Sequence, residues 1–176
     1  MKIAIIGNGG SGKTTLGFLL HETLKLPLYH LDQYYWEPNW QRKNVQDFVS
    51  IHAQLCTNEQ WIIEGANHKY LPDRIKHADV ILFLDMPRRL CLWRAIKRAV
   101  ANWGRVIPGA PQGCSQRVFS YGFFVFLRWI WSYNSKNRTR VMGLLDEARA
   151  HNKVVYILRS SQEVISFVQE FCLDDK

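Results

Sequence analysis

Long hydrophobic runs are scarce in this sequence of 176 residues. The longest apolar stretch, Tyr121 to Trp131, is interrupted by Arg128 and has about half of the roughly 20 residues that a membrane-spanning helix needs. We therefore expect no membrane partner. The apolar run near the first residue, Ile3 to Ile6, is too short for a secretory signal and leads into glycines, which indicates a cytoplasmic protein.

Cysteine is also rare, and the sequence shows no internal repeat, low-complexity tract or interdomain linker. The four cysteines are far apart and form no CxxC pair, so neither a disulfide framework nor a zinc site is indicated. Free thiols in a reducing compartment fit this pattern best. The length predicts a single domain over residues 1–176. The cysteines are Cys56, Cys91, Cys114 and Cys172.

Basic residues are in excess. Lys and Arg number 23 against 15 Asp and Glu, which gives a formal charge of +8 and a pI near 9.5. Such a surface attracts polyanions, so phosphorylated small molecules and nucleic acid both remain open as partners. The hydrophobic fraction of 47% is enough for a core and excludes a disordered chain.

Short apolar runs alternate with segments of helical spacing, which predicts an α/β fold with a parallel sheet. The segment 102–113 contains too many glycines and prolines for a regular element, so we predict a loop there and a lid over approximately 102–117. The predicted strands are 3–6, 28–31, 61–63, 80–84 and 154–158. The predicted helices are 13–24, 45–57 with Asn44 as its cap, 87–101, 115–133, 139–151 and 161–172.

The segment 7–14 reads GNGGSGKT and matches G-x-x-x-x-G-K-[ST] between a predicted strand and a predicted helix. Glycines let backbone N–H groups converge on phosphate oxygens, and the following helix presents its positive end to them. Lys13 is expected to reach the β- and γ-phosphates, and Thr14 to offer its hydroxyl to Mg²⁺. A dinucleotide-binding G-x-G-x-x-G is the less favoured interpretation. The residues predicted to bind nucleotide here are Gly7, Gly9, Gly10, Ser11, Gly12, Lys13, Thr14 and Thr15.

Downstream, Asp85-Met86-Pro87 follows the fourth strand, and Arg94 and Arg98 follow on one face of the next helix. This arrangement resembles the lid arm of adenylate-kinase-like nucleoside monophosphate kinases. The resemblance implies a P-loop NTPase three-layer sandwich with strand order 2-3-1-4-5 and a basic lid segment. It also implies ATP and Mg²⁺ as cofactors, with Arg94 and Arg98 stabilising the transferring phosphoryl group.

Two carboxylates compete as the magnesium ligand. Glu64 closes the third strand, where such kinases usually carry Asp-Gly, and Asp85 closes the fourth. We favour Glu64 together with Thr14, and Asp85 remains the alternative. Asp85 next to Pro87 also fits a plain helix cap.

The acceptor side departs from adenylate kinase, since the Asp-Gly-Phe-Pro-Arg stretch is missing. Instead the chain has Asp32 after the second strand, Trp36-Glu37-Pro38-Asn39-Trp40, Glu64-Gly65-Ala66-Asn67, and Gly113-Cys114. Over nearly the full chain these segments resemble the P-loop group known as DNA topology modulation proteins.

Several polar side chains are candidates for the acceptor. Asp32 is placed to orient or deprotonate a substrate hydroxyl, or else to cap a loop. His68 is open as a base or as a structural residue, and Lys69 and Arg74 as contacts to an acceptor phosphate. Arg159, after the fifth strand, is expected at the adenine.

The preferred interpretation is an ATP-Mg phosphotransferase acting on a nucleotide or another small hydroxyl or phosphate acceptor. Its catalytic residues are Lys13, Arg94, Arg98 and Asp32. The alternative is an ATP-binding protein that interacts with nucleic acid, with little or no small-molecule kinase activity. The sequence leaves the acceptor and the oligomeric state undetermined.

Overall fold

A computed structural model describes the backbone of residues 1–173 and the side chains of residues 1–171. The strands are β1 (Lys2–Gly7), β2 (Leu28–His30), β3 (Trp36–Glu37), β4 (Gln41–Arg42), β5 (Trp61–Glu64), β6 (Val80–Leu84) and β7 (Val154–Leu158). The helices are α1 (Lys13–Leu24), α2 (Leu31–Tyr35), α3 (Val45–Thr57), α4 (Leu71–His77), α5 (Arg88–Ala101), α6 (Tyr121–Tyr133), α7 (Thr139–Ala150) and α8 (Ser161–Leu173).

Five of these strands form one parallel sheet in the order β2-β5-β1-β6-β7. Numbered among themselves, they follow the predicted order 2-3-1-4-5, so the predicted fold class is confirmed. The central strand β1 pairs with β5 and β6 on its two sides. Its carboxyl end, and those of its neighbours, lie at the same edge of the sheet, which is where ligands bind in open α/β folds.

Apolar residues on both faces of the sheet create two cores. Ile3 and Ile5 point into the core under α1, α5 and α8, while Ala4 and Ile6 point into the core under α3, α4 and α7. All four of these side chains are fully buried. A continuous run of apolar residues is what a strand covered on both faces requires, and this is why the short runs predict strands correctly.

Several short elements were not predicted. The predicted loop after β2 holds α2 and the antiparallel hairpin β3-β4, and the segment after β5 holds a 3₁₀ turn and α4. The predicted start of α6 at Ser115 is wrong. The helix begins at Tyr121, because the Ser120 hydroxyl caps it by accepting a hydrogen bond from the Phe123 amide at 3.2 Å, and Phe119 has a positive φ of 66°.

Cys56, Cys91 and Cys114 are free and buried. The side chain of Cys172 lies outside the described residues. None of the helices described is both long enough and apolar enough to cross a lipid bilayer.

His52 provides a test of the core under α3. It packs against the rings of Phe48 and Tyr70, and its Nε2 lies 3.8 Å from Cys56 Sγ. Burial, reinforced by the charge of Arg74, lowers the pKa of His52 to about 4. The unfolded chain, with a pKa near 6.5, therefore takes up this proton first as the pH falls, and the free energy of unfolding decreases between about pH 6.5 and pH 4.

We expect His52→Gln to lose less stability than the wild type between pH 7 and pH 5, by about 1 to 2 kcal/mol. Urea denaturation at the two pH values measures this difference. His151→Gln, which removes an exposed histidine, is the control and should behave as the wild type. Equal losses in the His52 variant and the wild type would contradict the burial of a neutral imidazole.

Candidate active site

The glycine-rich loop 7–14 joins the carboxyl end of β1 to α1. Gly10 and Gly12 have positive φ values of 75° and 102°, a conformation that favours glycine. A Cβ at Gly10 would lie 2.2 Å from the carbonyl oxygen of Cys91 in α5. The loop is therefore packed directly against α5 as well as lying at the start of α1.

Asn8 fixes the loop internally and was not predicted as a functional residue. Its side-chain oxygen accepts a hydrogen bond from the Gly9 amide at 2.8 Å, and its Nδ2 donates to the carbonyl oxygen of Ile130 in α6 at 2.9 Å. Lys13 Nζ donates to the Asn8 carbonyl oxygen at 2.8 Å. Asn8 occupies a position that the motif leaves open, so no signal in the sequence identifies it.

Lys13 is nearly buried, with 8% of its surface exposed. Burial lowers its pKa, while the charges of Glu64 and Asp32 act in the opposite direction. The ammonium group therefore depends on these two carboxylates for compensation. An anion brought to the loop would supply further compensation.

Glu64 ends β5 and is the centre of the polar contacts at this edge of the sheet. Its Oε1 accepts a hydrogen bond from Thr14 Oγ1 at 3.0 Å and another from His30 Nδ1 at 2.8 Å. Burial alone would raise the pKa of Glu64, but the His30 hydrogen bond and the charge of Lys13 outweigh it, and the pKa lies below its usual value. The side chain is thus a buried, ionised carboxylate.

The role of His30 was missed, although the sheet register carries a signal for it. His30 is the last residue of β2 and is directly opposite Glu64 in the parallel pairing of β2 with β5. Once that register is known, a histidine next to a carboxylate at the functional edge is expected.

Asp32 and Arg98 complete the charged group around Lys13. Asp32 lies in the first turn of α2 and is exposed, but the protein around it and the charge of Glu64 raise its pKa. Arg98 extends from α5 toward both carboxylates. Burial lowers the pKa of Arg98 while Asp32 and Glu64 raise it. The predicted residues Lys13, Asp32, Glu64 and Arg98 are thus brought together.

Asp85, the competing metal carboxylate, is engaged elsewhere. Its two oxygens accept hydrogen bonds from Arg138, with Nε at 2.9 Å and Nη2 at 2.8 Å. Arg159 Nε lies 3.9 Å from Asp85 as well. Two arginines therefore neutralise Asp85.

A cavity of about 420 Å³ opens beside the loop, between α1 and α8. Arg94 spans its entrance, with Nη2 donating to Ser161 Oγ at 2.8 Å and Nη1 lying 3.5 Å from the Ser11 carbonyl oxygen. Its volume and its mostly apolar lining suit a small organic ligand. Arg159 is exposed and does not line this cavity. The loop and helix residues around it are Ser11, Gly12, Thr15, Leu16 and Leu19.

Residues 102–120 cover the site from the other side. Gly109 lies so close to Thr14 and His30 that a Cβ would be 2.7 Å from the Thr14 methyl group. Trp40 holds the segment in place through a 2.9 Å hydrogen bond from its Nε1 to the Ser115 carbonyl oxygen. Cys114 Sγ donates to the Glu37 carbonyl oxygen at 3.1 Å. The segment 36–40 thus anchors residues 102–120 over the site.

Trp36 and Trp40 contact each other edge to face at 5.9 Å. Arg42 lies over the Trp36 ring at 5.9 Å. These contacts pack the side chains of the β3-β4 hairpin against one another.

Comparison with known proteins identifies a relative. No family model matches the sequence. The chain is 30% identical over 137 residues to the uncharacterized protein YqaC of Bacillus subtilis (strain 168), and the match covers 76% of this chain and 72% of that protein. The chain belongs to the YqaC family.

Solved structures similar to this YqaC-family chain include two shikimate kinases. The shikimate kinase from Bacteroides thetaiotaomicron has a TM-score of 0.59 at 17% identity, covering 97% of this chain and 96% of its own. The shikimate kinase from Acinetobacter baumannii, in complex with shikimate, has a TM-score of 0.56 at 15% identity, covering 99% and 94%. At these identities the likeness establishes the fold, which is that of the P-loop kinases.

Trp40→Ala tests the anchoring of residues 102–120. Loss of the indole removes its hydrogen bond to Ser115 and its contact with Trp36, so this segment should open more often. We expect trypsin to cleave after Arg105 and Arg117 about 2- to 10-fold faster than in the wild type, the range that the loss of one hydrogen bond predicts. Mass spectrometry of a digestion time course measures the rates.

Trp93→Ala is the matched control, since Trp93 is 57% exposed on α5 and makes no contact with Ser115. Cleavage at the same rate in Trp40→Ala and the wild type would show that the anchor contributes nothing to closure.

Proposed function

We propose that this protein is a phosphotransferase that uses ATP and Mg²⁺ and moves the γ-phosphoryl group to a hydroxyl or phosphate oxygen of a nucleotide or other small acceptor. One observation carries the proposal. The ionised carboxylate of Glu64 is 3.0 Å from the hydroxyl of Thr14 in the glycine-rich loop. In the same loop, the neighbouring carboxylates offset the cost of burying the Lys13 charge only in part. Oxygen ligands beside an ammonium group are what a metal-bound triphosphate requires.

The nucleotide would lie along the loop with its adenosine in the cavity between α1 and α8. Backbone amides of Gly10 and Gly12 and Lys13 Nζ would contact its phosphates. Lys13 would exchange its hydrogen bond to the Asn8 carbonyl for a phosphate oxygen. Arg94, at the cavity entrance, is close enough to the loop to neutralise charge there.

Mg²⁺ fits the residues present, because Thr14 and Glu64 offer a hydroxyl and a carboxylate oxygen side by side. When bound, the ion would supply positive charge to the phosphate oxygens. Asp85 fits less well, since Arg138 occupies both its oxygens.

The acceptor would approach from Asp32. The acceptor's hydroxyl oxygen would form the new bond to the γ-phosphorus, while the bond between that phosphorus and the β–γ bridging oxygen breaks and ADP leaves. The proton of the acceptor hydroxyl would pass to the Asp32 carboxylate. The raised pKa of Asp32 makes this carboxylate a better base than an ordinary one. Arg98 would offset the charge that develops on the transferring group.

Residues 102–117 would act as the lid of this reaction. Closure over Thr14 would exclude water and so favour the acceptor over hydrolysis. The free cysteines fit a reducing, cytoplasmic setting.

Membership of the DNA topology modulation group, and with it a nucleic-acid partner, forms the second candidate. The observation that favours it is a surface where exposed aromatic residues alternate with basic ones. Arg88 lies 4.1 Å from the Trp131 ring centroid and Lys97 4.9 Å from that of Trp93. Such surfaces suit single-stranded nucleic acid.

Lys13→Met tests the phosphotransferase. We expect ADP formation from ATP-Mg, stimulated by one member of a panel of nucleosides, nucleotides, sugars and hydroxy acids, to fall about 100- to 1000-fold, the cost of one lost donor to the transferring group. Coupled ADP detection measures the rate. Lys97→Met, an exposed substitution on α5, should leave it unchanged. A Lys13→Met protein with wild-type turnover would rule the mechanism out.

The second candidate is tested by fluorescence anisotropy with single-stranded and duplex DNA at two salt concentrations. Direct binding predicts affinity that falls steeply with salt, because phosphate contacts release counterions. Trp93→Ala should weaken the single-stranded complex by about 1 to 3 kcal/mol. Weak binding that is insensitive to ATP would eliminate a nucleic-acid role.

A further inference from the structure

Buried polar atoms without partners gather next to the proposed transfer site. Six of them belong to four residues: Asn67 Nδ2, both ring nitrogens of His68, Nε and Nη1 of Arg74, and the hydroxyl of Tyr133. Polar atoms buried in proteins nearly always have a hydrogen-bond partner. A cluster of this size is unusual, and the atoms themselves show which chemistry a ligand would need to satisfy it.

Arg74 is the main charge of the cluster. It lies in α4, it is fully buried, and its hydrogen bond is from Nη2 to the Gly65 carbonyl oxygen at 3.1 Å. Burial lowers its pKa to about 10, so the guanidinium remains charged at neutral pH. No ion pair forms between Arg74 and a carboxylate among residues 1–173. An unpaired buried charge is costly, and an anion would offset that cost.

His68 and Tyr133 form an aromatic wall with Trp129. The His68 ring is stacked on Trp129 with 6.1 Å between centroids and lies 5.1 Å from the Tyr133 ring. Burial, with the charges of Arg74 and Lys13, lowers the pKa of His68 to about 4, so the ring is neutral and one nitrogen carries a proton. Arg74, Asn67 and His68 together offer N–H donors and little acceptor capacity.

The position of the cluster links it to phosphoryl transfer. Gly65, which holds Arg74, directly follows Glu64, and Arg74 lies within electrostatic reach of Glu64 and Asp32. Asn67 is partly exposed and Asp32 is exposed, so solvent reaches this edge of the cluster. A small molecule with one end at Arg74 would have its other end toward Asp32 and the γ-phosphate.

We propose that Arg74, with Asn67, His68 and Tyr133, forms a binding site for an oxyanion of the acceptor, a carboxylate or a phosphate group. This site defines the acceptor as an anionic small molecule that carries a hydroxyl or a second phosphate oxygen for transfer. That the anion belongs to the acceptor rests on the proposed function. That an anion binds here rests on the unpartnered donors alone.

The test separates the anion site from the proposed function. Wild-type protein is first titrated with the nonhydrolysable ATP analogue AMP-PNP and Mg²⁺, which fills the loop, and then with inorganic phosphate in one arm and acetate in the other, by isothermal titration calorimetry. We expect saturable binding of at least one anion, and the arm that binds tells phosphate from carboxylate. We expect Arg74→Met to weaken it about 10- to 100-fold, the cost of a charged hydrogen bond.

Arg74→Met should remain folded, because it removes a buried charge that has no ion-pair partner, and this gain offsets the lost hydrogen bond to the Gly65 carbonyl oxygen. Circular dichroism checks this. If it does not fold, the Asn67→Ala, His68→Gln double variant is titrated in its place, with the same expected loss. Arg149→Met, which removes an exposed arginine of α7, is the control and should bind the anion as the wild type does.

The proposal is overturned if neither anion binds saturably, or if the Arg74 variant and the wild type have equal affinity. Failure of AMP-PNP to bind would instead contradict the proposed function. The anion titration is then carried out on Lys13→Met, where the loop lacks its ammonium group and binding that still depends on Arg74 would uphold the anion site on its own.

Discussion

The buried carboxylate of Glu64 is the constraint on which the site depends. An ionised group inside a protein must be compensated, and here the compensation comes from Lys13 and Thr14 at the start of α1 and from His30 at the end of β2. These partners belong to two different strand-to-helix connections. The parallel sheet brings these connections to one edge, so the electrostatics of the site follow from the topology.

Most of the sheet could be predicted because its strands are buried on both faces. Runs such as Val80 to Leu84 are apolar without interruption, and this pattern needs no knowledge of distant residues. The α3 helix was predicted with its cap, since Asn44 accepts a hydrogen bond from the Gln46 amide within the same turn. The hairpin β3-β4 was missed because contacts of its turn, at Asn39 and Trp40, with residues 114–117, far along the chain, stabilise it.

The residues of the candidate site were predicted or missed for the same reason, which is whether their signal is local in the sequence. The segment 7–14 carries its pattern within eight adjacent residues, and a local pattern is visible in a sequence. Asn8, His30 and Tyr133 have no such pattern. Asn8 matters through Ile130 and His30 through Glu64, which are pairings that arise only after the chain has folded. Arg74 was noticed as a possible phosphate contact, but its complete burial and unpartnered nitrogens are properties of the tertiary structure.

The contact between Gly10 and α5 limits how this protein can diverge. Even one methyl group at Gly10 would collide with the Cys91 carbonyl, and no side chain of α5 can be trimmed to make room because the obstacle is backbone. Any side chain at Gly10 would require the main chain of α5 to move, and Arg94 and Arg98 would move with it. The position of these two arginines relative to the loop therefore depends on the glycine.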